Sequence, residues 1–141
     1  YYINIIKHLE HQRVKMPDNK YNIEFFQGST FNLNLTVKNS NGSLKDLTSH
    51  SARMQIRPAY NSSTVTESLT TSNGEITIDT TTSTVSLELS AVRTANINVN
   101  LNDTSIPPRT KYVYDLELID GATRVSKLLF GDVTVYAEVT R

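Results

Sequence analysis

The sequence predicts an all-β fold, an antiparallel β-sandwich with one short helix and an N-terminal arm. Two observations predict it. Apolar and polar residues alternate with period two along several stretches, as in antiparallel strands that bury one face and expose the other. Asn-Gly and Asp-Gly dipeptides stand between these stretches, and hairpin turns favour such residues because they tolerate positive φ. A chain of 141 residues has the length of one ordinary domain.

The alternating stretches predict which side chains enter the core. The predicted inward rows are Phe31, Leu33, Leu35 and Val37; Ala52, Met54 and Ile56; Val85, Leu87 and Leu89; Tyr112, Tyr114, Leu116 and Leu118; and Val133, Val135, Ala137 and Val139. Near Leu128–Phe130 the apolar phase is mixed. Since glycine inside a strand marks bulges, we expect a bulge or bend at Gly131.

Turn and cap residues divide the chain between these rows. Asn41-Gly42, Asn73-Gly74 and Asp120-Gly121 are predicted turns of the hairpin type. The second should link a strand near Val65–Leu69 to one near Ile76–Ile78, and the third should link the last two long strands. Ser90 is a predicted N-cap for one or two helical turns.

The first 20 residues differ from the rest. "YYINIIKHLE" is apolar on both faces, and "HQRVKMPDNK" is polar and contains a proline. We therefore expect an N-terminal arm and linker over residues 1–20, strand-like or a short helix, followed by a β-sandwich domain over residues 21–141. The arm either docks on its own domain or binds a neighbour. The predicted anchor residues are Tyr1, Tyr2, Ile3, Ile5 and Ile6.

Composition excludes several classes of function. The formal net charge is zero, with 14 basic and 14 acidic residues, so no nucleic-acid or membrane partner is expected. The chain has no cysteine, which rules out disulfides and thiolate chemistry. No cofactor is expected, because the glycines are scattered and form no phosphate-binding loop.

Candidate reactive residues are few. His8 and His11 flank Glu10 at a spacing that two metal ligands on a helix can use, but no further motif accompanies them, and no metal site is predicted. Asp115 and Glu117 alternate on one strand and are interpreted as solvated surface residues. Without Trp, and with Tyr and Phe largely in apolar rows or the arm, the chain offers no evident aromatic platform for sugars.

The stretch "DLTSHSARMQIRP" contains the letters of a catalytic triad in Asp46, His50 and Ser51. Triad members rarely stand so close in sequence, because their geometry comes from the fold. We therefore interpret the stretch as a turn followed by a strand. Its outward arginines, Arg53 and Arg57, are predicted contacts to a neighbouring subunit, and no catalytic residue is assigned.

Two stretches resemble a known family. "FFQGSTFNLNLTVKNSNGSLKDLTSHSARMQIRP" and "YVYDLELIDGATRVSKLLFGDVTVYAEVTR" are similar to the opening and ending of small immunoglobulin-like β-sandwich virion proteins of tailed bacteriophages. That family is tail- and baseplate-associated and is similar to the N-terminal domain of baseplate upper proteins. The resemblance covers about residues 23–141 and leaves out the arm.

The resemblance implies a non-enzymatic structural role. The chain would join the tail, baseplate or fibre-attachment region of a virion through its arm and strand edges, after assembly in the bacterial host cytoplasm. Its partners would be other virion structural proteins and further copies of itself, as a homo-oligomer or in many copies of a symmetric assembly. Two alternatives stay open: a capsid decoration or head–tail neck protein, and a receptor- or carbohydrate-binding module.

Overall fold

A computed structural model of the chain shows two packed β-sheets. It describes residues 2–7, 10–15 and 19–141, the first two stretches by their backbone only. The strands are β1 Tyr2–Lys7, β2 Glu10–Lys15, β3 Ile23–Phe26, β4 Phe31–Lys38, β5 Ser51–Arg57, β6 Glu67–Thr70, β7 Ile76–Asp79, β8 Thr84–Leu89, β9 Arg109–Ile119 and β10 Val125–Tyr136. One helix, α1, spans Ala91–Ala95.

The strand order is that of an immunoglobulin-like sandwich. The first sheet runs β2-β1-β4-β8-β7 and the second β3-β10-β9-β5-β6. Within them, β1-β4-β8-β7 corresponds to the ABED sheet of that fold and β10-β9-β5 to its GFC sheet, with β6 in the place of C′. The predicted fold class is confirmed. One pair departs from the antiparallel rule, since β3 runs parallel to β10.

The predicted inward rows form the core. Their members on β4, β5, β8 and β9 are all buried, and so are Val133, Val135 and Ala137. The expectation for Val139 was wrong, because this side chain is 97% exposed. Tyr136 pairs with Arg109, the first residue of β9, and after one further hydrogen bond from Ala137 to Pro108 the chain leaves the sheet.

Asn73-Gly74 is not a hairpin turn, and the positive φ of the β9–β10 hairpin lies outside Asp120-Gly121. Asn73-Gly74 does connect β6 to β7, but these strands lie in different sheets. Asn73 instead organises a crossover, where its Oδ1 accepts hydrogen bonds from the N–H groups of Thr70 and Glu75. The β9–β10 hairpin closes through residues 120–124, and it is Thr123 that has positive φ there.

The bulge predicted at Gly131 lies elsewhere. The register between β9 and β10 shifts between Lys127 and Leu129, so that Leu128 and Leu129 are both buried. Gly131 lies where two chain segments approach each other closely. A Cβ at this position would lie 2.5 Å from the carbonyl oxygen of Tyr21, and only glycine allows that contact without displacement.

The short helix begins where the sequence predicts. Ser90 is its N-cap, and the side chain accepts a hydrogen bond from the N–H of Arg93. The buried hydroxyl of Thr94 lies 2.8 Å from the carbonyl oxygen of Ser29 and 3.0 Å from that of Ala91. No helix in the described part of the chain is long and apolar enough to cross a membrane.

The N-terminal segment is paired into the first sheet. The backbone of β1 lies antiparallel to β4, with Ile3 opposite Val37 and Ile5 opposite Leu35, and β2 pairs with the other edge of β1. Asn19 contacts the second sheet, because its side chain donates to the carbonyl of Lys127. The backbone of β1 is thus paired with its own domain, and binding of the arm to a neighbour stays a prediction.

Candidate functional site

The outer face of β5 and β9 carries a row of charged and polar side chains. Alternation turns Arg53, Gln55 and Arg57 outward from β5, while the neighbouring residues fill the core. Register then fixes their cross-strand neighbours on β9, which are Glu117, Asp115 and Val113 in that order. Together with Tyr60 these residues line a groove of about 340 Å³, which we call the β5–β9 groove.

One end of the groove is closed by an ion pair. The Nε of Arg53 lies 2.7 Å from a carboxylate oxygen of Glu117, its direct cross-strand neighbour. Both side chains are in contact with solvent, with exposed fractions of 55% and 22%. Arg53 was predicted to contact a neighbouring subunit, which stays a prediction. Within the chain itself its charge is already compensated.

Arg57 at the other end is held without a carboxylate. Its Nε and Nη2 both donate to Gln55 Oε1, at 3.2 and 2.8 Å, and its Nη1 donates to the carbonyl of Ser62 at 2.7 Å. Among the described residues it forms no ion pair. The guanidinium is therefore fixed in position while its charge remains uncompensated.

The two carboxylates of β9 form ion pairs with different cations. Asp115 accepts a hydrogen bond of 2.7 Å from Lys127 on β10, and Glu117 is the partner of Arg53. The hydrogen bond to Asp115, aided by its negative charge, raises the pKa of Lys127 above its ordinary value. Asp115 and Glu117 thus belong to two separate ion pairs and do not form a coupled carboxylate pair.

The triad-like letters before β5 form a turn. Asp46 accepts hydrogen bonds from the hydroxyl and the backbone N–H of Thr48, at 2.6 and 2.9 Å, and these contacts lower the pKa of Asp46. His50 Nδ1 lies 2.9 Å from the carbonyl oxygen of the same Thr48. Asp46 and His50 therefore both contact Thr48 rather than being hydrogen-bonded to each other.

The structure describes only some of the predicted residues of the N-terminal segment. Tyr1 and His8 lie outside the described residues. Tyr2, Ile3, Ile5 and Ile6 belong to β1 and His11 to β2, whose backbone alone is described. In the part of the chain that the structure describes, no group of three or more His, Cys, Asp or Glu residues is arranged to hold a metal ion.

Sequence reasoning missed Tyr60 and Lys127. Tyr60 follows Pro58 in the turn after β5, and its side chain is 74% exposed at the groove. The available signal was an aromatic residue inside a polar, proline-led turn, outside every apolar row. Lys127 could be found only through the pairing of β9 with β10, which places it opposite Glu117 and within reach of Asp115.

A second exposed surface lies at one end of the sandwich. Leu101, Ile106 and Val139 are 59%, 99% and 97% exposed. Leu101 lines a hollow together with Glu138, and the carbonyl of Pro108 accepts a hydrogen bond from the N–H of Ala137. The loop of residues 96–108 and the segment after β10 are therefore neighbours at this end, which we call the apolar end.

The fold defines the class of protein, an immunoglobulin-like β-sandwich. Comparison with known proteins adds no family to that class, since no family model and no curated protein matches this chain.

Proposed function

We propose that the chain is a non-enzymatic structural component of a tailed-phage virion, located in the tail, baseplate or fibre-attachment region. One observation carries the proposal. The two stretches that resemble the phage family fold as β3–β5 and β9–β10 of a single immunoglobulin-like sandwich, which is the arrangement the resemblance implies. They meet in the second sheet, where β5 pairs with β9 and β3 with β10.

The N-terminal segment supports an assembly role. β1 is joined to β4 through a main-chain ladder of five residue pairs, which shows that this side of the sheet accepts a strand by backbone pairing. Strand addition of this kind is a common way for one chain to bind another. In a virion, the segment or the edge it occupies would then connect neighbouring copies or other structural proteins.

The apolar end supports the same role. The exposed side chains of Ile106 and Val139 lie on two segments that meet at this end through the hydrogen bond from Ala137 to Pro108, and another protein would cover them there. Strand edges and an apolar end together give the domain two directions of contact, as a multi-copy assembly requires.

The test is removal of residues 1–18, with Asn19 kept because it contacts β10. We expect the shortened chain to remain folded by circular dichroism and to be lost from particles purified from the producing host, as measured by mass spectrometry. A chain with residues 1–18 in scrambled order is the matched control for length and composition, and it should also be lost. Incorporation of the shortened chain at the full-length level would contradict the role of the segment. Absence of the full-length chain from purified particles would contradict the virion role itself.

A further inference from the structure

We infer that the β5–β9 groove binds an acidic saccharide, with the carboxylate of the ligand on Arg57 and the apolar face of its sugar ring against Tyr60. This binding property is separate from the proposed assembly role and does not depend on it. A virion sandwich can carry both, because the groove lies on the outer face of the second sheet and the N-terminal segment lies in the first.

The first step concerns Arg57. A guanidinium has five N–H donors, and Arg57 uses three of them on Gln55 and Ser62. The remaining N–H groups, one on each Nη nitrogen, have no partner among the described residues. A planar guanidinium with two available donors and an uncompensated charge matches a carboxylate. Because its neighbours already hold it in place, little side-chain entropy is lost on binding.

The second step concerns charge along the groove. Arg53 is compensated by Glu117 and Lys127 by Asp115, which leaves Arg57 as the one groove cation without an ion pair among the described residues. The groove therefore suits a ligand with a single negative charge at the Arg57 end. The compensated pairs still offer oxygen acceptors and N–H donors, which are the partners that sugar hydroxyl groups need.

The third step concerns Tyr60. Its ring is 74% exposed beside the groove, which Tyr60 lines together with Arg57 and Val113. An exposed ring with a polar tip, set over a polar groove, is the aromatic feature that binds the C–H face of a sugar.

The experiment compares two ligands that differ only in the carboxylate, methyl β-D-glucuronide and methyl β-D-glucoside. Each is titrated into the ¹⁵N-labelled chain and followed by NMR. We expect the glucuronide to shift the amide signals of Gln55, Arg57, Tyr60 and Val113 with a Kd of about 1 mM, as is usual for a ligand of this size. The glucoside should bind at least about tenfold more weakly, because the charge-assisted hydrogen bonds are lost.

Variants locate the site. Arg57→Gln should weaken glucuronide binding about tenfold, and Tyr60→Ala about threefold to tenfold. Arg124→Gln is the matched control, since this arginine is 82% exposed in the β9–β10 loop, and it should leave the Kd unchanged. Because Tyr60 is so exposed, its variant tests the site even if Arg57→Gln disturbs the turn at Ser62.

Four results would overturn the inference. The first is equal binding of glucuronide and glucoside, and the second is an equal loss in Arg124→Gln. The third is no shift at about 50 mM ligand, well above the expected Kd. Acetate is the bare-anion control. If it bound as tightly as the glucuronide and was insensitive to Tyr60→Ala, the saccharide would be refuted as the ligand. None of these results bears on incorporation into particles, so the two proposals fail separately.

Discussion

Strands β5 and β9 present two faces built on the same backbone ladder, and the faces differ in what they contribute. Facing the other sheet, Met54 pairs with Leu116, and both are almost completely buried. Facing solvent one residue further along, Arg53 pairs with Glu117. The inner pair removes apolar surface from water, worth roughly 25 cal/mol per Å², whereas an exposed ion pair is worth about 0–1 kcal/mol.

Stability depends mainly on the inner face, and the outer face is available for function. The inner face must fill a fixed volume, because protein cores pack as densely as organic crystals. The outer face can vary its charges at little cost to folding. The groove residues are therefore free to be selected for binding, while their alternate neighbours are fixed by packing.

The sharpest test of this comparison is Leu116→Ala against Glu117→Gln. Leu116 is 1% exposed at the centre of β9, next to Met54 and Leu129. Its truncation should lower the free energy of unfolding by about 2–5 kcal/mol, through lost burial and the cavity that remains. Glu117→Gln should change it by less than about 1 kcal/mol. Urea denaturation measures both. Similar losses in the two variants would remove the distinction between the faces.

A smaller loss of stability is expected at Gly131, where two backbone segments are in contact. In Gly131→Ala the new Cβ would meet the carbonyl oxygen of Tyr21 and the side chain of Asn22. Relief of this overlap requires a shift of residues 19–22 away from β10, at about 1–3 kcal/mol. Thermal unfolding should show the loss. Thr134→Ala, on the outer face of the same strand, is the control and should stay near the wild-type midpoint.

The inner rows of the sandwich could be predicted from sequence because they depend on a local rule. Period two sends alternate side chains to one face wherever a strand forms, and this placed Leu33, Met54 and Leu116 correctly. The prediction was wrong at Val139 because strand length depends on a partner. β10 ends where β9 has no further residue to pair with, and no local pattern shows that.

The groove could be predicted only in part, for the same reason. Arg53 and Arg57 were placed outward by alternation. The difference between them comes from residues distant in sequence, because β9 places Glu117 opposite Arg53 and Val113 opposite Arg57. The sheet exchange at Asn73-Gly74 is likewise set by long-range pairing, since a turn dipeptide does not encode which sheet the next strand joins.

Tyr114 tests a polar contact inside the core, with a still smaller expected effect. Its side chain is buried and its hydroxyl donates to the carbonyl of Tyr21 at 2.6 Å. Tyr114→Phe should lose about 1 kcal/mol, the usual net value of such a bond plus an unpaired acceptor. Tyr136→Phe, whose hydroxyl bonds to Glu24 at the surface, is the control and should lose less.

The same residue should contribute to the loss of folding stability at alkaline pH. Burial raises the pKa of Tyr114 above its ordinary value of 10.0, so the folded state retains a proton that the unfolded chain releases. The corresponding stability is fully present below pH 10 and is lost as the pH rises above it. Stability measured from pH 8 to 12 should fall less steeply in Tyr114→Phe than in the wild type. Parallel curves would show that Tyr114 ionises as freely in the folded state as in the unfolded chain.

The smallest effect on stability is expected for the Arg53–Glu117 ion pair on the outer face. It tests directly how little that face contributes to folding. A double-mutant cycle of Arg53→Ala and Glu117→Ala isolates the coupling between the two side chains. We expect a coupling of about 0.2–1 kcal/mol that declines as salt is raised, because both groups contact solvent. The comparison cycle is Arg93 with Glu67, which joins α1 to β6 and is less exposed, at 30% and 11%, with Glu75 kept as the second partner of Arg93. Its coupling should be larger and less sensitive to salt, since a partly buried pair is screened less.

A coupling above about 2 kcal/mol for Arg53 and Glu117, beyond the usual range of exposed pairs, would mean that the outer face stabilises the fold as well. The groove would then be constrained by folding, and its charges could not be explained by binding alone.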